Sequence, residues 1–233
     1  MIEILVVCAI LLILFSLLSP MFRKALDAAQ MMECMNNQKQ TSIAAATYLD
    51  EYGGSWPWPW KAADTPDMSA GNFYIVSMIW LRELAPLLEV PVAIPQSYSD
   101  WYNKVDFLDT LFFCPARTPA QKPIHLNQPQ WNVGYGPNFR GLAKGTQKVA
   151  LWKDPSRKIL MADAVGGGGC TQHNLVWPYW TNPGKGIVFP HGARGGLLSG
   201  RSNIMFGDFH VEALYLEEGP EPGQDNYWIS PNL

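Results

Sequence analysis

The sequence predicts an α+β fold in which a long N-terminal spine helix packs on a small antiparallel β-sheet with long loops. Three observations lead there. Residues 1–52 contain no glycine and a single proline, Pro20. Short apolar or alternating runs recur late in the chain, at 158–164 and 203–215. Glycine and proline together make up 39 of 233 residues, about 17% against a usual 12% or so, which is loop chemistry.

The spine comes in two halves. Met1 to Leu18 has sixteen apolar residues in eighteen, interrupted by Glu3 and Ser16. Such a run is just long enough to cross a bilayer, since roughly 20 helical residues span the hydrocarbon core. A secretory signal peptide fits poorly, because there is no basic n-region and no small-x-small site. Pro20 should bend the helix by removing one backbone hydrogen bond. Beyond it, Ala25, Ala28, Ala29, Met32, Met35, Ile43, Ala46 and Leu49 recur at helical steps, opposite Asp27, Gln30, Asn36, Asn37, Lys39 and Gln40. That pattern is an amphipathic helix, ended by Gly53-Gly54. Three segments follow: a membrane or filament-core helix at 1–20, its amphipathic continuation at 21–52, and a globular α+β domain at 53–233.

Within that domain, Phe73–Leu88 reads as a helix broken late by Pro86, and Trp101–Phe113 as a second short one. Lys158–Ala164 is a buried strand by its apolar run, and His173–Trp180 is a further strand candidate. Asn203–Phe206 and Phe209–Tyr215 alternate as a hairpin. Its turn needs a residue that tolerates positive φ, which Gly207-Asp208 would supply. Ser55–Thr65, Gly166–Gly169 and Gly184–Gly200 are loops.

Composition narrows the function classes. Charged residues make up 16% of the chain and the net charge is −3. There is no basic footprint for nucleic acid. Catalytic signatures are missing too. No His-Glu-x-x-His or phosphate-loop pattern occurs, nor a Gly-x-Ser-x-Gly elbow. The expectation is that the chain is not an enzyme.

Glu3 stands out, because a carboxylate in an apolar span is costly. It either sits solvated at the membrane interface or pairs with a cation from another chain. Ile2-Glu3-Ile4-Leu5-Val6-Val7, the apolar run and Pro20 resemble the N-terminus of type IV pilins and type II secretion pseudopilins, the prepilin-type methylation segment. The family pattern begins earlier, with a basic leader, a cleavage glycine and two further residues ahead of the position held by Met1. The resemblance implies processing by a prepilin peptidase. It also implies that Glu3 neutralises the terminal amine of a neighbouring subunit, and that Pro20 is the family's helix-kink proline.

Further stations resemble a planctomycete-type subgroup with a C-terminal motif of His, nine residues, then Asp-Gly. They are Cys34-Met35-Asn36-Asn37-Gln38-Lys39-Gln40, Tyr48–Gly54, Phe113-Cys114-Pro115, Gly134-Tyr135-Gly136-Pro137-Asn138 and Pro155–Asp163, then His191 with Asn203–Val211. The motif departs from its pattern. Sixteen residues separate His191 from Asp208, and Phe209 stands where the glycine would be. The motif residues are therefore His191, Gly207, Asp208 and His210.

The resemblance implies a structural subunit with no reaction. It would sit in the bacterial inner membrane before assembly, then in a periplasmic pseudopilus or an extracellular fibre. Identical or related subunits and the assembly machinery would be its partners. It also places the cysteines in an oxidising compartment, where pairing is expected. Cys34–Cys114 is then the expected disulfide, with all thiols unpaired as the alternative. No cofactor is expected beyond a structural Ca²⁺, for which Asp163 and Asp208 are the candidates. Two other readings stay open. In one, the chain is an anchored binding module whose Trp56-Pro57-Trp58-Pro59-Trp60 loop stacks on polysaccharide; the same loop could instead clamp onto the domain or touch a partner subunit. In the other, it is a metal-dependent enzyme using His191, Asp208 and His210.

Overall fold

Helix α1 runs unbroken from Ile2 to Glu51 in the computed structural model. The structure describes residues 2–57, 79–90, 110–116, 134–138, 148–164, 187, 189–192, 200–215 and 218. Fifty residues at about 1.5 Å each make a helix some 75 Å long. Pro20 lies inside it and does not end it. Gly53 and Gly54 both take positive φ just past its end, and the Gly54 N–H donates to the Leu49 carbonyl at 2.6 Å. Glycine there closes the helix at no steric cost.

The two halves of α1 meet different surroundings. Residues 2–29 are all exposed, and burial begins at Cys34. The apolar stripe predicted for the second half packs only in part: Leu49 is in the core and Met35 and Ala46 are half-buried. Met32 is 61% exposed and Ile43 68%, whereas Asn37, Gln38, Thr41 and Ser42 are buried along with Cys34, Ala44, Ala45 and Leu49. The sheet offers Gln38 two buried polar partners, Asp163 and the Asn203 carbonyl, so hydrogen bonding there outranks apolar periodicity. Hydroxyls at 41 and 42 donate back to the carbonyls of Asn37 and Lys39, which satisfies them without water.

Helix α2 spans Ile79–Leu84, and a 3₁₀ turn follows at Pro86–Leu88. The predicted helix over 73–88 is thus shorter where it is described. At 110–113 the chain turns instead of extending the predicted second helix. The rest of both segments, and 173–180, lies outside the described residues.

Four strands follow: β1 Tyr135–Pro137, β2 Ile159–Asp163, β3 Arg201–Phe206 and β4 Val211–Tyr215. They form one antiparallel sheet in the order β1-β2-β3-β4. Helix α1 touches β3, β4 and α2. Strand alternation sends Met205 and Met161 to the α1 side, and Ile204, Phe206, Ile159 and Ala162 to a second cluster with Ile187 and Phe189. Leu160 joins the α1 side as well, next to Met161. A register shift between Ile159 and Met161 accounts for two adjacent residues sharing a face. Trp56, Trp80, Phe112 and Trp152 complete the α1-side core. Trp56 is therefore a core residue, while Trp58 and Trp60 lie outside the described residues.

The β3–β4 hairpin forms as expected, but its turn differs. Phe209, not Gly207 or Asp208, holds the left-handed conformation, at φ 69°. Gly207 answers a different demand. A Cβ there would lie 2.7 Å from the Trp152 ring and 3.1 Å from the Pro155 carbonyl. Its N–H donates to the carbonyls of Pro155 and Lys158.

Candidate functional site

Under the α1 side of the sheet, five segments converge on one buried polar cluster. Helix α1 brings Cys34 and Gln38, and β2 ends on Asp163. The antiparallel partner of that end on β3 is Asn203, whose backbone N–H donates to Asp163 Oδ2 at 2.7 Å. Both side chains fall on the α1 face by the alternation that places Met161 and Met205 there. His191 reaches the cluster through a two-way backbone bridge with Arg201 at the start of β3.

Cys114 arrives from the turn after α2. A close crossing with Gly134 fixes it, since a Cβ on Gly134 would lie 2.4 Å from the Cys114 backbone nitrogen. The Gly134 N–H donates to the Phe112 carbonyl, and the Gly134 carbonyl accepts from Ala164. Tyr135 follows directly. Its hydroxyl donates to the carbonyls of Cys34 and Phe113, both at 3.4 Å, so one phenol ties the spine helix to the cysteine turn. Asn138 ends the segment by donating to the Ile159 carbonyl.

The distances are short. Cys34 Sγ and Cys114 Sγ stand 2.8 Å apart, farther than a disulfide bond and closer than two sulfurs in ordinary contact. Cys114 Sγ is 3.8 Å from His191 Nε2. Asp163 Oδ2 is 3.2 Å from the same nitrogen, and both of those side chains are essentially inaccessible. Asn203 Nδ2 lies 2.9 Å from it. Gln38 Nε2 donates to the Asn203 carbonyl at 3.0 Å and to Asp163 Oδ1 at 3.4 Å.

Electrostatics follow from that packing. Burial alone would push the Cys34 thiol up. The Cys114 and His191 contacts outweigh it and bring the thiol down to about 6. Burial would likewise lower His191, yet the Asp163 hydrogen bond and charge carry it up to about 10. Tyr135 is held well above its usual range, first by burial and then by the charges of Cys114, Cys34 and Asp163. The same close contacts thus draw the thiol down and the imidazole up.

The residues singled out in the sequence separate into three places. Cys34, Cys114, His191 and Asp163 come together in the cluster. Gly207, Asp208 and His210 sit at the β3–β4 turn, where Asp208 bonds His210 through Oδ1 and Nδ1 in an exposed pair. The turn lies beyond Phe206, the partner of Ile159, whereas Asp163 lies at the other end of β2. Four strand steps, roughly 13 Å, separate the two sites. One Ca²⁺ therefore cannot bridge Asp163 and Asp208, and His191 does not converge with Asp208 and His210. Glu3 is exposed in the first turn of α1, with Pro20 on the same uncovered stretch. Cys170, His125 and His173 lie outside the described residues. Sequence reasoning missed Gln38 and Asn203, although both lie in runs already marked as motif stations.

No family model, curated protein or solved structure matches this chain.

Proposed function

We propose that this chain is a pilin-like structural subunit, anchored in a membrane by the first half of α1 and assembled through it into a fibre or secretion pseudopilus. The supporting observation is the uncovered apolar half of the helix. Its most apolar window has no residue buried against the domain, and Ile4, Leu12, Phe15 and Phe22 are each about two-thirds exposed or more. Residues 2–29 extend about 42 Å, against about 30 Å for a hydrocarbon core. Such a surface needs lipid, and then in a filament the same helix from neighbouring chains.

Two further features favour assembly over simple anchoring. Glu3 places a carboxyl group at the tip of the span, where an unpaired charge in apolar surroundings is costly and a neighbour's cation would relieve it. Met32 and Ile43 continue the exposed apolar surface along the second half of α1, beside the domain. No chemistry is asked of the protein; helix packing and register are the function. Trp56 is only 2% exposed, so it does not serve a polysaccharide platform.

The test is Glu3→Ala in the full chain. Membrane-fraction levels should stay unchanged while sheared or pelleted fibres fall severalfold. Equal fibre yield would remove Glu3 from assembly.

A further inference from the structure

We propose that Cys34, Cys114, His191 and Asp163 form a structural zinc site that ties the spine helix to the sheet. The four donor atoms are two sulfurs, one imidazole nitrogen and one carboxylate oxygen, brought from α1, the turn after α2, the residue bridged to β3, and β2. Soft sulfur with imidazole selects zinc over Ca²⁺ or Mg²⁺, which take oxygen ligands. The two sulfurs and the nitrogen all lie within 4.8 Å of one another, and all three residues are buried. A closed four-ligand site of this kind is structural, not catalytic, since no position is left for substrate.

Three of the six edges can be checked. With ordinary zinc bond lengths, a tetrahedron places nitrogen and oxygen about 3.3 Å apart, nitrogen and sulfur about 3.6 Å, and two sulfurs about 3.8 Å. The observed His191–Asp163 separation is 3.2 Å and the Cys114–His191 separation 3.8 Å. The Cys34–Cys114 edge, at 2.8 Å, has to open by about 1 Å, and Asp163, which is not in the group whose donors all lie within 4.8 Å of one another, has to close toward the sulfurs.

Surrounding groups also fit a bound cation. Asp163 is oriented by the Asn203 N–H and by Gln38, the outer-shell support that metal-ligating carboxylates have. Gln38 Oε1 and Asn203 Oδ1 are buried with no hydrogen-bond partner among the described residues. With His191 Nδ1, which is also buried without a partner among the described residues, they mark the cluster as a place where a further partner such as an ion belongs.

The experiment uses the full chain purified in detergent without chelator. Elemental analysis should find one zinc per chain, and Cys34 and Cys114 should react with a thiol reagent only after EDTA treatment. Exchange with Co²⁺ alone should give thiolate-to-cobalt charge transfer and the intense visible bands of a tetrahedral centre. His191→Ala should lower zinc affinity about tenfold or more, and His191→Cys, which restores a donor, should recover it. Recovery by His191→Cys separates ligation from a folding defect. A Cys34–Cys114 disulfide in the peptide map with no zinc, or zinc content indifferent to both His191 variants, would overturn the site. Either result leaves the filament reading untouched, because that reading rests on the exposed apolar surface of α1 and on Glu3.

Discussion

Two histidine–aspartate pairs among the described residues have the same chemistry and opposite energetic weight. His191–Asp163 is fully buried, so removing one member strands the other in the core, at a cost of about 3–5 kcal/mol. Asp163→Asn should therefore lower the denaturation midpoint sharply. His210–Asp208 is exposed on both sides, where such pairs contribute about 0–1 kcal/mol. Asp208→Asn should barely move the same midpoint, and equal losses from the two variants would contradict this ranking. Gly134 and Gly207 matter for space and not for turn freedom. Gly134→Ala would force a Cβ to 2.4 Å from backbone that holds Cys114. It should destabilise by at least the roughly 1–3 kcal/mol typical of overpacking, measured by urea unfolding. The sequence showed Cys34, Cys114, Asp163 and His191 as separate signals. It could not show their convergence, because the contacts between them span 80 residues from Cys34 to Cys114 and 77 from Cys114 to His191.

At the scale of elements, the long helix, β2 and the β3–β4 hairpin were legible because period and punctuation are local. Glycine ended α1, and an apolar run marked β2 as buried on both faces. What failed was the choice of packed face on α1. Apolar residues at 32 and 43 outscore Gln38 and Thr41 on any hydropathy pattern, yet both polar residues are buried: the sheet meets Gln38 with Asp163 and the Asn203 carbonyl, and Thr41 bonds back to the Asn37 carbonyl. The hairpin turn was misassigned for a related reason. Phe209 accepts a left-handed backbone while its ring packs against the α1-side core, a tertiary contact that no local rule contains. The helix makes its own prediction. Residues 2–29 are all exposed, so a chain beginning at Gln30 should be soluble without detergent and unfold within a few degrees of the full-length domain. A large loss of thermal stability would mean that the first half of α1 packs on the domain.

For the whole molecule, one helix carries two unlike surfaces. Its second half is held by a tyrosine bridge, a glutamine anchor and the cysteine cluster, so the domain is fixed to the spine. Its first half is left apolar and bare, with a carboxyl group at the tip. That division suits a subunit whose domain decorates a bundle of identical helices. Ile43→Arg places a charge on the exposed strip beside the domain, and should cut fibre yield while leaving the isolated domain's melting temperature unchanged. A normal yield would remove this strip from the contact surface. The most direct measurement is electron microscopy of material sheared from cells that produce the full chain with its assembly machinery. Helical fibres with the N-terminal helices bundled at the axis are expected. A chain found only as dispersed single copies in the membrane, with the machinery present and active, would contradict the filament assignment.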